Sequence, residues 1–218
     1  MVVAIDGPAG TGKSTVSRMV AEKTAFFYLN SGRFYRAITW KARTNGVAQD
    51  DTDALIAIAS RIDIDIDGDR FLVDSVECTD ELHTSEIDEA VAAVSSVPEI
   101  RDRVNARLKH IAGKRDVVVE GRDMSTVVFP DAEVKIFLDA SPHTRARRRF
   151  NQGGGTGDIE AIRRAIEERD RIDRTKATGR LRRSEEALYI DTTDLTIDQV
   201  CAKVVAIIHE KITHGRSN

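Results

Sequence analysis

Short apolar runs alternate along this chain with longer segments whose apolar positions recur every three or four residues. Val2–Asp6 and residues 26–29, 117–119, 134–138 and 188–190 read as strands, short and apolar on both faces. Between them, residues 15–23, 32–44, Pro98–Ala112, 142–150, 159–173 and 197–209 carry helical spacing. Pro98 and Pro142 suit a first helical turn, where a missing N–H costs nothing. Asn45-Gly46 closes the helix before it. Buried strands separated by helices predict an α/β chain, with a five-stranded parallel sheet flanked by helices on both faces.

One region breaks the alternation. Ile62, Ile64 and Ile66 alternate with Asp63, Asp65 and Asp67, Asp67-Gly68 signals a turn, and residues 70–73 resume an extended pattern. That is an antiparallel hairpin with one solvated face. It predicts a small lobe, residues 50–95, inserted into a core made of residues 1–49 and 96–218. Asp63, Asp65, Asp67, Gly68 and Asp74 also fall on positions 1, 3, 5, 6 and 12 of a calcium-loop template. The shorter Asp at position 12, Arg70 at the apolar position 8 and the period-two flanks favour the hairpin. Further on, the glycine-rich run at 152–157 joins two arginine-rich helices. It is expected to serve as a lid near residues 150–158, because closing segments need residues that absorb φ/ψ change.

The composition narrows the class. The chain has 218 residues, 41% hydrophobic and 32% charged, with a formal net charge of −3. That balance does not favour a polyanion binder, although arginines crowd residues 145–183 and acids crowd 50–88. No aromatic stacking platform accompanies the arginines, so no nucleic-acid partner is expected. Cys78 and Cys201 match neither a disulfide framework nor a metal motif. No apolar run approaches the roughly 18 residues of a membrane span, and no leader of the usual form is expected ahead of a strand at Val2. The expectation is a cytoplasmic protein without a membrane partner. Residues 213–218 look disordered.

The chemistry starts at Gly7-Pro8-Ala9-Gly10-Thr11-Gly12-Lys13-Ser14-Thr15, a phosphate-binding loop set between a strand and a helix. Backbone N–H groups of such a loop surround phosphate oxygens, and the helix N-terminus adds a favourable dipole. Lys13 reaches the β- and γ-phosphates of ATP, and the Ser14 hydroxyl is the expected Mg²⁺ ligand. The loop implies a nucleotide without specifying the reaction. Three later segments narrow it: Ser31-Gly32-Arg33-Phe34-Tyr35-Arg36 after the second strand, Glu120-Gly121-Arg122-Asp123 after the third, and Arg169-Asp170 with Asp173 on a late helix. Strand ends on one edge of a parallel sheet face the ligand crevice. Arg145, Arg148 and Arg164 are candidates to surround a transferring phosphoryl group. The five histidines lie outside these motifs and read as surface residues.

Together with Val127-Val128-Phe129-Pro130-Asp131-Ala132 and Phe137-Leu138-Asp139-Ala140-Ser141, these motifs resemble the bacterial cytidylate kinases, a family of nucleoside monophosphate kinases. The resemblance runs from Val2 to about Lys211. It implies the P-loop nucleoside monophosphate kinase fold, with an inserted monophosphate-binding lobe and a short lid. It implies phosphoryl transfer from Mg·ATP to CMP or dCMP by a monomer. By the same resemblance Ser31, Tyr35, Arg36, Arg101, Arg122, Asp123, Arg169 and Asp173 bind the acceptor. Arg36 and Arg122 take its phosphate, Arg101 and Asp123 read the cytosine edge, and Arg169 and Asp173 hold the ribose. Lys13, Arg122 and Arg148 are the expected catalytic residues. The chain departs from the family pattern at Asn30, Arg33, Ala92 and Lys176, where Asp, a small residue, Ser and Arg are usual; Gly179-Arg180-Leu181 also replaces an Ala-Pro-Leu-like run. A same-fold kinase for UMP or AMP and a P-loop regulatory or nucleic-acid-binding protein are the alternatives.

Overall fold

Val3, Ala4 and Ile5 are wholly inaccessible to solvent, as a strand flanked on both edges and both faces must be. The computed structural model describes residues 1–215. In chain order its elements are β1 (Val2–Asp6), α1 (Lys13–Thr24), β2 (Phe27–Asn30), α2 (Ser31–Thr44), α3 (Thr52–Arg61), β3 (Ile64–Asp67), β4 (Arg70–Val73), β5 (Val76–Glu77), α4 (Ser85–Val94), α5 (Pro98–Ala112), β6 (Val117–Gly121), β7 (Val134–Asp139), α6 (Pro142–Gln152), α7 (Ile159–Thr175), β8 (Leu188–Asp191) and α8 (Ile197–Gly215). The chain divides into two units, residues 1–29 with 111–218, and residues 30–110.

The first unit is built on a five-stranded parallel sheet in the order β2-β6-β1-β7-β8. β1 runs parallel to both β6 and β7, with Asp6 level with Gly121 on one side and Phe137 on the other. The core joins Val3, Ile5, Val118, Ile136 and Leu138 of the sheet to Val16 and Val20 of α1 and Val200, Val204 and Ile208 of α8. These helical positions recur at spacings of four, which is why one face of each helix closes the sheet. Every strand foreseen in this unit forms, with β2 displaced by one residue because Ala25 takes a left-handed turn (φ 57°) after α1. α7 and α8 run past their expected ends. Thr213 and His214, expected to be disordered, lie in α8, and the rest of that tail, residues 216–218, lies outside the described residues.

The second unit departs further from the reading. β3 and β4 form the expected hairpin, Asp67 paired with Arg70 across a two-residue turn at Gly68-Asp69. A third strand, β5, extends it. Residues 50–95, expected as a small lobe with this hairpin, also carry α3 and α4, which the period-two pattern does not reveal. α3 buries only Leu55, so its amphipathic stripe is faint. α4 was within reach, because Ile87, Ala90, Val91 and Val94 are its buried stripe and Thr84 caps it, accepting from the Ile87 N–H at 3.4 Å. Phe34 of α2 meets Phe71 of β4 edge-to-face at 5.5 Å and seals this core. The acidic hairpin gathers no cation site: Asp74 pairs with Lys41 at 2.7 Å and accepts from the Asp63 N–H. Among the described residues no cluster of His, Cys, Asp or Glu could hold a metal ion.

Candidate active site

The central strand ends at Asp6, and the chain turns sharply through Gly7. A Cβ on Gly7 would lie 2.0 Å from the Leu138 carbonyl oxygen, so no other residue lets β1 leave the sheet here. Gly12, left-handed at φ 91°, caps α1 with no side-chain hydrogen bond, leaving its first-turn N–H groups for a ligand. Thr11 Oγ1 and Lys13 Nζ both donate to the Pro8 carbonyl, at 3.2 and 2.5 Å, which curls the loop over itself. Burial and then the neighbouring Arg122 push the Lys13 ammonium down to about 7, against the opposing pull of Glu120, Asp6 and Asp173. Ser14 and Thr15 remain exposed at the start of the helix.

Two arginines of α6 fasten this loop from behind. Arg145 is buried, donating to the carbonyls of Ala140 (2.9 Å) and Ala9 (3.1 Å) and pairing with Asp170 of α7 at 2.7 Å. Arg148 donates to the Thr192 carbonyl at 2.6 Å, to its hydroxyl at 3.0 Å and to the Thr11 carbonyl at 3.4 Å. Arg164 is exposed and faces Asp158 at 3.6 Å.

The next strand end carries the second cluster. Glu120 is buried and accepts from the Tyr28 hydroxyl at 2.5 Å. Arg122 Nε donates to Asp173 at 2.8 Å, and Lys176 donates to the other oxygen of the same carboxylate at 3.1 Å. Burial works to raise the Asp173 carboxyl, but Arg122 and Lys176 outweigh it and bring it to about 2. Asp123 is buried, and its carbonyl accepts from the Val127 and Val128 N–H groups. Arg169 is half-buried one helical turn before Asp173. Lys13, Arg122 and Asp173 therefore share one electrostatic neighbourhood. Asp6 and Glu120 belong to it as well, though the sequence reading assigned them no role. Their signal was a charged residue inside an otherwise apolar buried strand.

The remaining predicted residues lie in the unit of residues 30–110. Ser31 begins α2, capped by Asn30, whose side chain accepts from the Arg33 N–H at 3.2 Å. Asparagine caps as well as aspartate, so this departure leaves the helix start intact. Arg36 pairs with Asp88 at 2.5 Å and donates to the Leu82 carbonyl at 3.1 Å. The Arg101 guanidinium sits 5.5 Å from the centre of the Tyr35 ring and donates to the Ser95 carbonyl. Arg33, also buried, reaches the Asp69 carbonyl of the hairpin turn at 3.3 Å. All five histidines are exposed, as expected.

A parallel sheet whose central strand feeds a phosphate-binding loop, with arginine and carboxylate at the next strand end, defines a P-loop kinase of the α/β class. Within that class, the family model for cytidylate kinase matches residues 3–210, and the chain belongs to the cytidylate kinase family. The cytidylate kinase of Rhodopirellula baltica is 38% identical over 221 residues, covering 100% of this chain and 96% of that protein. That of Streptomyces coelicolor is 42% identical over 217 residues, covering 97% and 94%. An uncharacterized protein from Eubacterium ventriosum shares the fold at a TM-score of 0.55 with 14% identity, over 96% of this chain and 98% of that one.

Proposed function

We propose that this protein transfers the γ-phosphoryl group of ATP to CMP or dCMP, giving ADP and CDP or dCDP. The observation that carries the reading is the family match from residue 3 to residue 210, with the phosphate-binding loop and the Arg122–Asp173 pair in place. The phosphate-binding loop, Gly7 to Thr15, takes the ATP phosphates. Lys13 exchanges the Pro8 carbonyl for phosphate oxygens, which restores a full charge to an ammonium that burial weakens. The exposed Ser14 hydroxyl beside Lys13 suits a Mg²⁺ ion, which would screen the triphosphate charge.

The acceptor phosphate is already anionic at neutral pH, so the transfer needs no general base. Catalysis rests on in-line positioning and neutralisation of charge. Arg36 and Arg122 neutralise the acceptor phosphate. Arg101 and Asp123, with Ser31 and Tyr35, hold the base, and Arg169 and Asp173 hold the ribose. Residues 150–158 act as the lid that excludes water during transfer. Residues 50–95 act as the acceptor-binding lobe. Arg145 and Arg148 support the phosphate loop, and Arg148 would give up its Thr192 contacts to meet the transferring group when the lid closes. The protein works as a cytoplasmic monomer; no described helix is long and apolar enough to cross a membrane. ADP release with Mg·ATP and CMP, dCMP, UMP, AMP or no acceptor tests the reading. Turnover confined to CMP and dCMP is expected. Preference for UMP or AMP would remove the base contacts, and no turnover with any of them would overturn the reading.

A further inference from the structure

Asp6 carries a role that no motif assigns it. It is completely buried at the end of the central strand, one residue before the phosphate-binding loop. A carboxylate in that position is costly unless several donors surround it. It has them: the Met124 N–H at 2.9 Å, the Ser125 N–H at 2.7 Å and the Ser125 hydroxyl at 2.5 Å. All three belong to the turn of helix at Met124–Val128 that immediately follows Arg122 and Asp123. That turn is a single widened π-type turn, a geometry that recurs at functional sites and needs external support. Its own backbone closes on the Asp123 carbonyl, which accepts from Val127 and Val128 at 2.9 and 3.2 Å, and Asp6 grips the first two N–H groups of the turn, those of Met124 and Ser125.

The geometry points to Asp6 as a positioning residue for the acceptor: its main chain leads into the ATP-binding loop while its side chain holds in place the segment that presents Arg122 and Asp123. One buried carboxylate thereby ties the donor-phosphate loop to the acceptor-phosphate arginine. The Arg122 link continues to Asp173 at 2.8 Å, so a shift of the turn would be felt at the α7 carboxylate as well. Asp6 is completely buried with both carboxylate oxygens taken, so it acts through Met124 and Ser125. This inference rests on the proposed CMP kinase activity.

The test compares wild type with Asp6→Asn and Ser125→Ala by thermal unfolding and by separate Michaelis constants for CMP and for ATP. The amide of Asp6→Asn turns an N–H₂ group toward the Ser125 donors, while Ser125→Ala removes one donor and keeps both backbone bonds. The expected result is a rise of about tenfold or more in the CMP KM for Asp6→Asn and about threefold for Ser125→Ala, with the ATP KM changed less than about twofold. A folded variant pair whose two KM values move together, or do not move, overturns the positioning role and leaves a structural bond only. If Asp6→Asn fails to fold, Ser125→Ala alone decides by the same criterion. Wild type that fails to phosphorylate CMP would instead count against the activity itself, before any variant is compared.

Discussion

The phosphate-loop unit and the 30–110 unit use arginine in different ways. In the first, Arg145 and Arg148 turn mostly to the backbone carbonyls of Ala9, Thr11, Ala140 and Thr192, with Asp170 holding Arg145 as well, so they hold main chain in shape. In the second, Arg36 and Arg101 each reach one backbone carbonyl, of Leu82 and Ser95, and also face a carboxylate and an aromatic ring respectively, contacts that a bound anion or base can replace. The first arrangement is preorganised. A loop whose glycines are sterically required and whose lysine is already buried reorganises little when phosphate arrives. The second has a closed core, with Phe34, Phe71, Leu55, Leu82 and Ile100 buried, and is adaptable in its charged side chains, which can exchange partners.

Three predictions sharpen that contrast. Lys13→Ala is expected to have the largest effect, lowering kcat by about 10²–10³-fold or more with thermal stability retained, because a preorganised positive charge at the transferring group is lost. An unchanged kcat in steady-state assays would remove Lys13 from the mechanism. Arg36→Ala is expected to raise the CMP KM by about 10–100-fold, as loss of a charge-assisted contact to phosphate, while leaving ATP binding alone. An equal rise in both KM values would show that Arg36 serves the fold of its unit through Asp88 rather than the acceptor.

The smallest effect is in pH. The Lys13 ammonium is held near 7 when its loop is empty, and phosphate stabilises the charged form. ATP binding therefore takes up a proton. Affinity is full below about pH 7 and weakens above it, by up to about tenfold per pH unit until the pKa of the complex is reached. Calorimetric titration in buffers of different ionisation enthalpy reads the proton uptake directly. No uptake between pH 7 and 9 would mean that Lys13 is already fully charged in the free protein.

The two units also differ in how far their sequences could be read. In the phosphate-loop unit the strands are continuous apolar runs and the loop is a spaced motif, so Val3, Ile5, Gly7 and Lys13 announce their places locally. In the 30–110 unit the signals are weak or mixed. α3 buries one side chain, and the alternating Ile-Asp run drew attention to the hairpin at the expense of the helices around it. Arg36 is marked by its place just after a strand end, while Ser31, Tyr35 and Arg101 are marked by motif resemblance; nothing in their spacing predicts that Arg101 lies over Tyr35.

The α/β class and the nucleotide loop follow from the sequence alone, because apolar periodicity and motif spacing are properties of neighbouring residues. Only the tertiary structure decided that Asp6 meets Met124 and Ser125 more than a hundred residues away. The same holds for Asp173 between Arg122 and Lys176, and for Arg145 turned toward the Ala9 carbonyl away from solvent. Those outcomes depend on which strand ends the parallel sheet brings side by side. A buried charge finds its partners there only once the chain has closed around it.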